Sequence, residues 1–128
     1  MNQSVSIGII FNEQNQVLIA LRPPHVVSPG IWEFPGGKVE KNETTLQAVV
    51  RELNEEIGID AHNPEFFLKT THTVGEKQFT LYVYTITQFS GTPRGRENQE
   101  IRWVALDQLH AYNFLPANRA VITQLTAR

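Results

Sequence analysis

Residues 36–59 read Gly36-Gly37-Lys38-Val39-Glu40-Lys41-Asn42-Glu43-Thr44-Thr45-Leu46-Gln47-Ala48-Val49-Val50-Arg51-Glu52-Leu53-Asn54-Glu55-Glu56-Ile57-Gly58-Ile59. Leu46, Val49, Val50, Leu53 and Ile57 recur at helical spacing, which predicts a helix from Thr44 to Ile57 with one apolar face. Thr44, with Gln47 three residues later, has the form of a capping box, and Gly58 stands where such a helix would stop. Glu52, Glu55 and Glu56 are spaced i, i+3 and i+4, so their carboxylates share a face. Like charges at that spacing repel by about a few tenths of a kcal/mol per pair, and a compensating charge is expected. Hard oxygen donors suit Mg²⁺, with Mn²⁺ as the alternative. Arg51 is placed to neutralise a further carboxylate such as Glu43. A run of charge by itself is more often a solvated helix face.

Outward from this helix the chain reads as short strands. Val5–Ile9 alternates apolar with small or polar residues, and Val17–Leu21 follows the polar turn 12–16, so the two are expected to form a hairpin. Arg22 to Gly30 holds three prolines and reads as a loop. Phe66–Val74 and Gln78–Phe89 are strand-like on either side of Gly75-Glu76-Lys77, with a turn at Ser90-Gly91-Thr92-Pro93. Ile101–Ala105 is a short strand, and Pro116 opens a last helix to about Leu125. Strands mixed with two helices point to an α+β fold, an α/β/α sandwich with a mixed sheet.

The 128 residues suggest one domain over 1–128, and 41% hydrophobic against 19% charged residues fits a globular chain rather than a disordered one. Cysteine is absent, which removes disulfides, thiol nucleophiles and cysteine-ligated metal sites, and suits a cytoplasmic setting. No apolar run approaches the roughly 20 residues of a membrane span, and the start lacks the basic flank and apolar stretch of a signal peptide. A net charge of −2 argues against a nucleic-acid polymer as partner, but not against a small phosphate ester whose charge a metal neutralises. The four histidines, His25, His62, His72 and His110, have no metal-like spacing; Trp32 and Trp103 read as packing anchors.

The stretch quoted above resembles the Nudix box, G-x5-E-x7-R-E-U-x-E-E-x-G-U with U bulky and apolar, and it matches at Gly37, Glu43, Arg51, Glu52, Leu53, Glu55, Glu56, Gly58 and Ile59. Glu33-Phe34-Pro35-Gly36-Gly37-Lys38 and Phe114-Leu115-Pro116-Ala117-Asn118 resemble segments of the MutT-type Nudix hydrolases, with Leu115 where that subfamily has proline. The resemblance implies a Nudix fold, its mixed sheet flanked by the Nudix helix and a C-terminal helix. It implies a Mg²⁺-dependent pyrophosphohydrolase, a monomer that takes 8-oxo-dGTP to 8-oxo-dGMP and pyrophosphate and so sanitises the nucleotide pool. Two alternatives stay open: the same chemistry on a cytidine, pterin or diadenosine phosphate, and a Nudix module that binds a nucleotide without cutting it.

By the same resemblance the metal falls to Glu52, Glu55, Glu56 and Glu97, with the Gly37 or Gly36 carbonyl. The general base is Glu52 or Glu97, with Glu100 a near alternative to the latter. Arg22 meets substrate phosphate and Asn118 reads the purine; Phe34 is a candidate to pack on the base, and Phe79 and Leu81 are further candidates that read better as plain core residues. Asn118 also has a plainer reading as a residue of the helix start.

Overall fold

The computed structural model describes residues 2–23 and 30–127; the greater part of the proline-rich loop and His25 lie outside the described residues. The long helix forms where its spacing predicts, as α1, Thr45–Ile57. The Thr44 hydroxyl accepts from the Gln47 N–H and the Gln47 side chain accepts from the Thr44 N–H, which closes both halves of the capping box. At the other end Gly58 takes a left-handed φ of 72° that a side chain would strain. The inward face consists of Ala48, Val49, Leu53 and Ile57; Leu46, expected on that face, is 43% exposed near the first turn.

Three small sheets receive the strands. β1 (Asn2–Ile10) lies between β4 (Gly36–Lys38), antiparallel to it, and β7 (Lys77–Ile86), parallel to it, and β6 (Glu65–Val74) completes the order β4-β1-β7-β6. β2 (Gln16–Leu21) is flanked by β3 (Trp32–Glu33) and β9 (Ile101–Ala105), both antiparallel. β5 (Asp60–His62) pairs with β8 (Gln88–Ser90). The expected β1–β2 hairpin is therefore corrected. The chain does turn at residues 12–15, with the Asn12 N–H donating to the Gln16 carbonyl, but β1 and β2 diverge into different sheets beyond a single bridge, Phe11–Val17. Burial at successive positions of both strands goes with this, because each strand is covered on two faces and takes different neighbours. The stretch 78–89, expected as one strand, is two, separated at Thr87.

Strand alternation sends side chains to two cores. Ile7, Ile9, Val17, Ile19, Leu81 and Val83 join Val121 and Ile122 of α2 (Pro116–Thr126) on one side. Ile10, Leu18, Tyr84 and Ile86 join Val49, Leu53 and Ile57 of α1 on the other. Helices thus cover both sides of mixed sheets, the α+β sandwich expected from the order of elements. A 3₁₀ segment, Leu106–Ala111, seats Leu109 in the first core. Trp32 ties the tail down: its N–H donates to the Asn113 carbonyl and its carbonyl accepts from the Leu115 N–H, at 2.9 and 3.0 Å. Among the described residues no helix is long and apolar enough to cross a membrane.

Candidate active site

α1 packs against β1 and β4, which sets its acidic face beside the backbone of Gly36-Gly37-Lys38. A Cβ at Gly37 would collide with the Glu52 carboxyl group, so the absence of a side chain there lets the carboxylate lie against the strand. Arg51 binds this corner together. Its Nε and Nη2 grip Glu43 at 2.7 and 3.0 Å, its Nη1 reaches Glu52 at 2.9 Å and Glu55 at 3.2 Å, and its Nη2 also donates to the Lys38 carbonyl at 3.0 Å. The planar five-donor fork makes one cation serve three carboxylates. The hydrogen bonds from Arg51 hold Glu43 below the usual carboxylate range, and those to Glu43 first of all hold Arg51 above its own.

Among the described residues Glu56 has no such partner. Burial, then the adjacent Glu52 carboxyl, then the charges of Glu33 and Glu97 all push its pKa well above the carboxylate range. Glu33 is also raised, because burial outweighs its ion pair with Arg22 at 2.8 Å. Glu52, Glu56, Glu33 and Glu97 therefore act on one another at a single locus, with more negative charge than Arg22 and Arg51 offset. The donor set is oxygen only, and it fits a hard divalent cation. Among the described residues no group of three or more His, Cys, Asp or Glu side chains is already arranged to hold a metal ion.

This locus opens into a cavity of about 750 Å³. Its polar end carries Arg22, Glu33, Gly36, Gly37, Lys38 and Glu56. Its other end is walled by Phe34, Phe79, Leu81 and Asn118. Phe34 and Phe114 pack with ring centroids 5.1 Å apart, so Phe34 belongs to the core and to the cavity wall at once. Asn118 is 3% exposed and sits in the first turn of α2. Its Oδ1 accepts from the Phe34 N–H at 3.2 Å. An amide NH₂ cannot accept, so this contact settles which end of the side chain faces Phe34. Leu115 in place of proline does not loosen Asn118, because Trp32 already holds that segment through its backbone.

Of the expected residues, the structure lines the cavity with Arg22, Phe34, Gly37, Glu56 and Asn118, sets Glu52 beside Glu56, and places Glu97, exposed and outside the cavity wall, near enough for its charge to act on Glu56. Glu55 differs: its side chain is 56% exposed and turned to Arg51. Glu100 also falls away from the locus, paired with Arg102 at 2.6 Å on the exposed side of β9. Glu33, His72 and Lys77 line the cavity without having been expected there. Glu33 comes in because β3 pairs Ala20 with it, and a strand of two residues leaves no periodicity to read. His72 and Lys77 arrive through the β6–β7 register, in which His72 faces Phe79.

The fold and this acidic helix define a family, and the chain belongs to it: the NUDIX domain model matches residues 1–125. An 8-oxo-dGTP diphosphatase of Escherichia coli is 40% identical over 121 residues, 94% of either chain. A CTP pyrophosphohydrolase of the same organism is 34% identical over 112 residues, 88% of this chain and 83% of that one. A MutT structure from work on Aliivibrio salmonicida and Vibrio cholerae superposes with a TM-score of 0.83 at 40% identity, covering 99% of this chain and 98% of that one.

Proposed function

We propose that this chain is a divalent-cation-dependent nucleoside triphosphate pyrophosphohydrolase that converts 8-oxo-dGTP to 8-oxo-dGMP and pyrophosphate, working in the cytoplasmic nucleotide pool. The observation that carries the reading is the cavity itself, with converging carboxylates at one end and an apolar wall with one buried amide at the other. The relative named 8-oxo-dGTP diphosphatase, matched along nearly its whole length, supports it.

Glu52, Glu56 and Glu97 would hold the ion, with the Gly37 carbonyl beside them and Glu55 at the solvent edge. A bound Mg²⁺ supplies charge neutralisation of the phosphates and acidifies a coordinated water. Arg22 and Lys38 face the same end and favour the polyphosphate electrostatically. Glu97, carried on a loop rather than on α1, is the group we assign as base; Glu52, already engaged by Arg51, we assign to holding the ion. At the far end Phe34 offers a face to the base. The Asn118 NH₂ donates to O6 of 8-oxoguanine, and the second lone pair of Oδ1 accepts from N7–H. Ordinary guanine has an acceptor at N7, so that second contact is lost.

A panel of oxidised and ordinary nucleoside triphosphates tests the reading. Pyrophosphate release with Mg²⁺ and none with EDTA is expected, fastest on 8-oxo-dGTP. Fastest turnover of CTP would move the substrate to that of the second relative, and binding without release would make the chain a recognition module.

A further inference from the structure

The loop that carries Glu97 is sewn onto the C-terminal end of α1. The last carbonyls of a helix have no partner within it. Here the Arg94 N–H donates to the Ile57 carbonyl at 3.0 Å, the Arg96 N–H to the Glu56 carbonyl at 2.9 Å, and Arg96 Nη1 to the Asn54 carbonyl at 3.0 Å. One side chain joins the two carboxylate-bearing residues directly. Gln99 Nε2 donates to the Glu56 carbonyl at 3.2 Å, and Gln99 Oε1 accepts from the Glu97 N–H at 2.8 Å. Gln99 is half-buried beneath an otherwise exposed stretch, and its own carboxamide has no place in the cavity wall.

We propose that Gln99 is a positioning residue for the hydrolysis: its amide clamps the backbone of Glu97 to that of Glu56 and so holds the Glu97 carboxylate at the acidic locus. The role rests on the proposed function, but the clamp does not. Only a residue with a donor and an acceptor at that reach makes both bonds. Alanine makes neither, and glutamate keeps the acceptor while losing the donor. Groups that act through one contact are non-additive when both are changed.

The test follows amide exchange at Glu97 together with steady-state kinetics on the wild type, Gln99→Ala, Gln99→Glu, Glu97→Gln and the Gln99→Ala/Glu97→Gln pair. In Gln99→Ala the Glu97 amide is expected to exchange at least about tenfold faster, and kcat to fall about tenfold with KM within about twofold. Gln99→Glu should retain much of the protection. In the Glu97→Gln background, Gln99→Ala should lower kcat no further. An unchanged Glu97 amide, a kcat within about twofold of wild type, or an equal fall in the Glu97→Gln background each overturns the proposal. A wild type that hydrolyses no nucleoside triphosphate would instead refute the proposed function, and the exchange measurement would still decide whether Gln99 holds Glu97.

Discussion

At the scale of single residues, the acidic face of α1 divides its carboxylates by their partners. Glu43, Glu52 and Glu55 share Arg51, while Glu56 is left among like charges. Neutral glutamine at position 52 or 56 keeps the shape and removes a charge from an electrostatic centre. Glu52→Gln and Glu56→Gln should each lower turnover at least about 100-fold, with the circular dichroism spectrum unchanged. Activity within a few-fold of wild type would remove either from the metal site. Glu97→Gln should cost more turnover than Glu100→Gln, because Glu100 spends its charge on Arg102. At the other end of the cavity, Asn118→Ala removes one donor and one acceptor and touches no carboxylate. The preference for 8-oxo-dGTP over dGTP, read as the ratio of kcat/KM values, should fall by about tenfold while the Mg²⁺ requirement persists. Asn118→Ala also leaves the Phe34 N–H without its acceptor, so a stability loss of about 1–3 kcal/mol should accompany the change. An unchanged ratio with that loss would leave Asn118 as a structural tie alone.

At the scale of elements, what could be read from the chain was what is encoded locally. α1 carries its own start, stop and apolar stripe, and all three appear in the structure. Thr44→Ala, which breaks the capping box at an exposed site, should lower the unfolding free energy by about 1 kcal/mol in denaturant titration without affecting kcat. The strands were legible as strands, but their partners were not. β1 pairs with β7, 76 residues further along the chain, and register depends on faces buried by elements distant in sequence. For the same reason the hairpin expectation failed at β2, and two- and three-residue strands such as β3, β4 and β5 were invisible. The site divides along the same line. That Glu52, Glu55 and Glu56 share one helix face follows from spacing, but their part in the site was an expectation from the family resemblance, and the structure turns Glu55 out to Arg51. Glu97, Arg22, Phe34 and Asn118 needed a family resemblance, because the register and the Trp32 tie that assemble them are long-range. Leu46 failed in a simpler way: helical spacing gives a direction around the axis, not how far along it the packing partner extends.

At the scale of the whole molecule, the cluster of like charges couples stability to pH and to metal. Glu56 and Glu33 have raised pKa values in the folded protein. Above the ordinary carboxylate range the unfolded chain has released these protons and the folded one still holds them. Stability is therefore fully present below the unfolded pKa and is lost as pH rises towards the folded values. In the presence of EDTA the Tm should decline between about pH 5 and about pH 8, the reverse of the behaviour of a protein stabilised by ordinary ion-paired carboxylates. Glu43, held low by Arg51, contributes in the opposite sense, but only where pH falls through the carboxylate range, so the two effects occupy different windows. Glu56→Gln should flatten the decline, since its amide has no proton to lose. Mg²⁺ should flatten it too, by favouring the ionised carboxylates, and the stabilisation it gives should grow with pH as proton competition falls. Thermal unfolding of wild type and Glu56→Gln across this pH range, with and without Mg²⁺, supplies the four curves needed. A metal-free wild type whose Tm rises from pH 5 to pH 8 in parallel with Glu56→Gln would show that Glu56 ionises at no cost, and that the acidic locus does not carry the uncompensated charge on which its affinity for a cation depends.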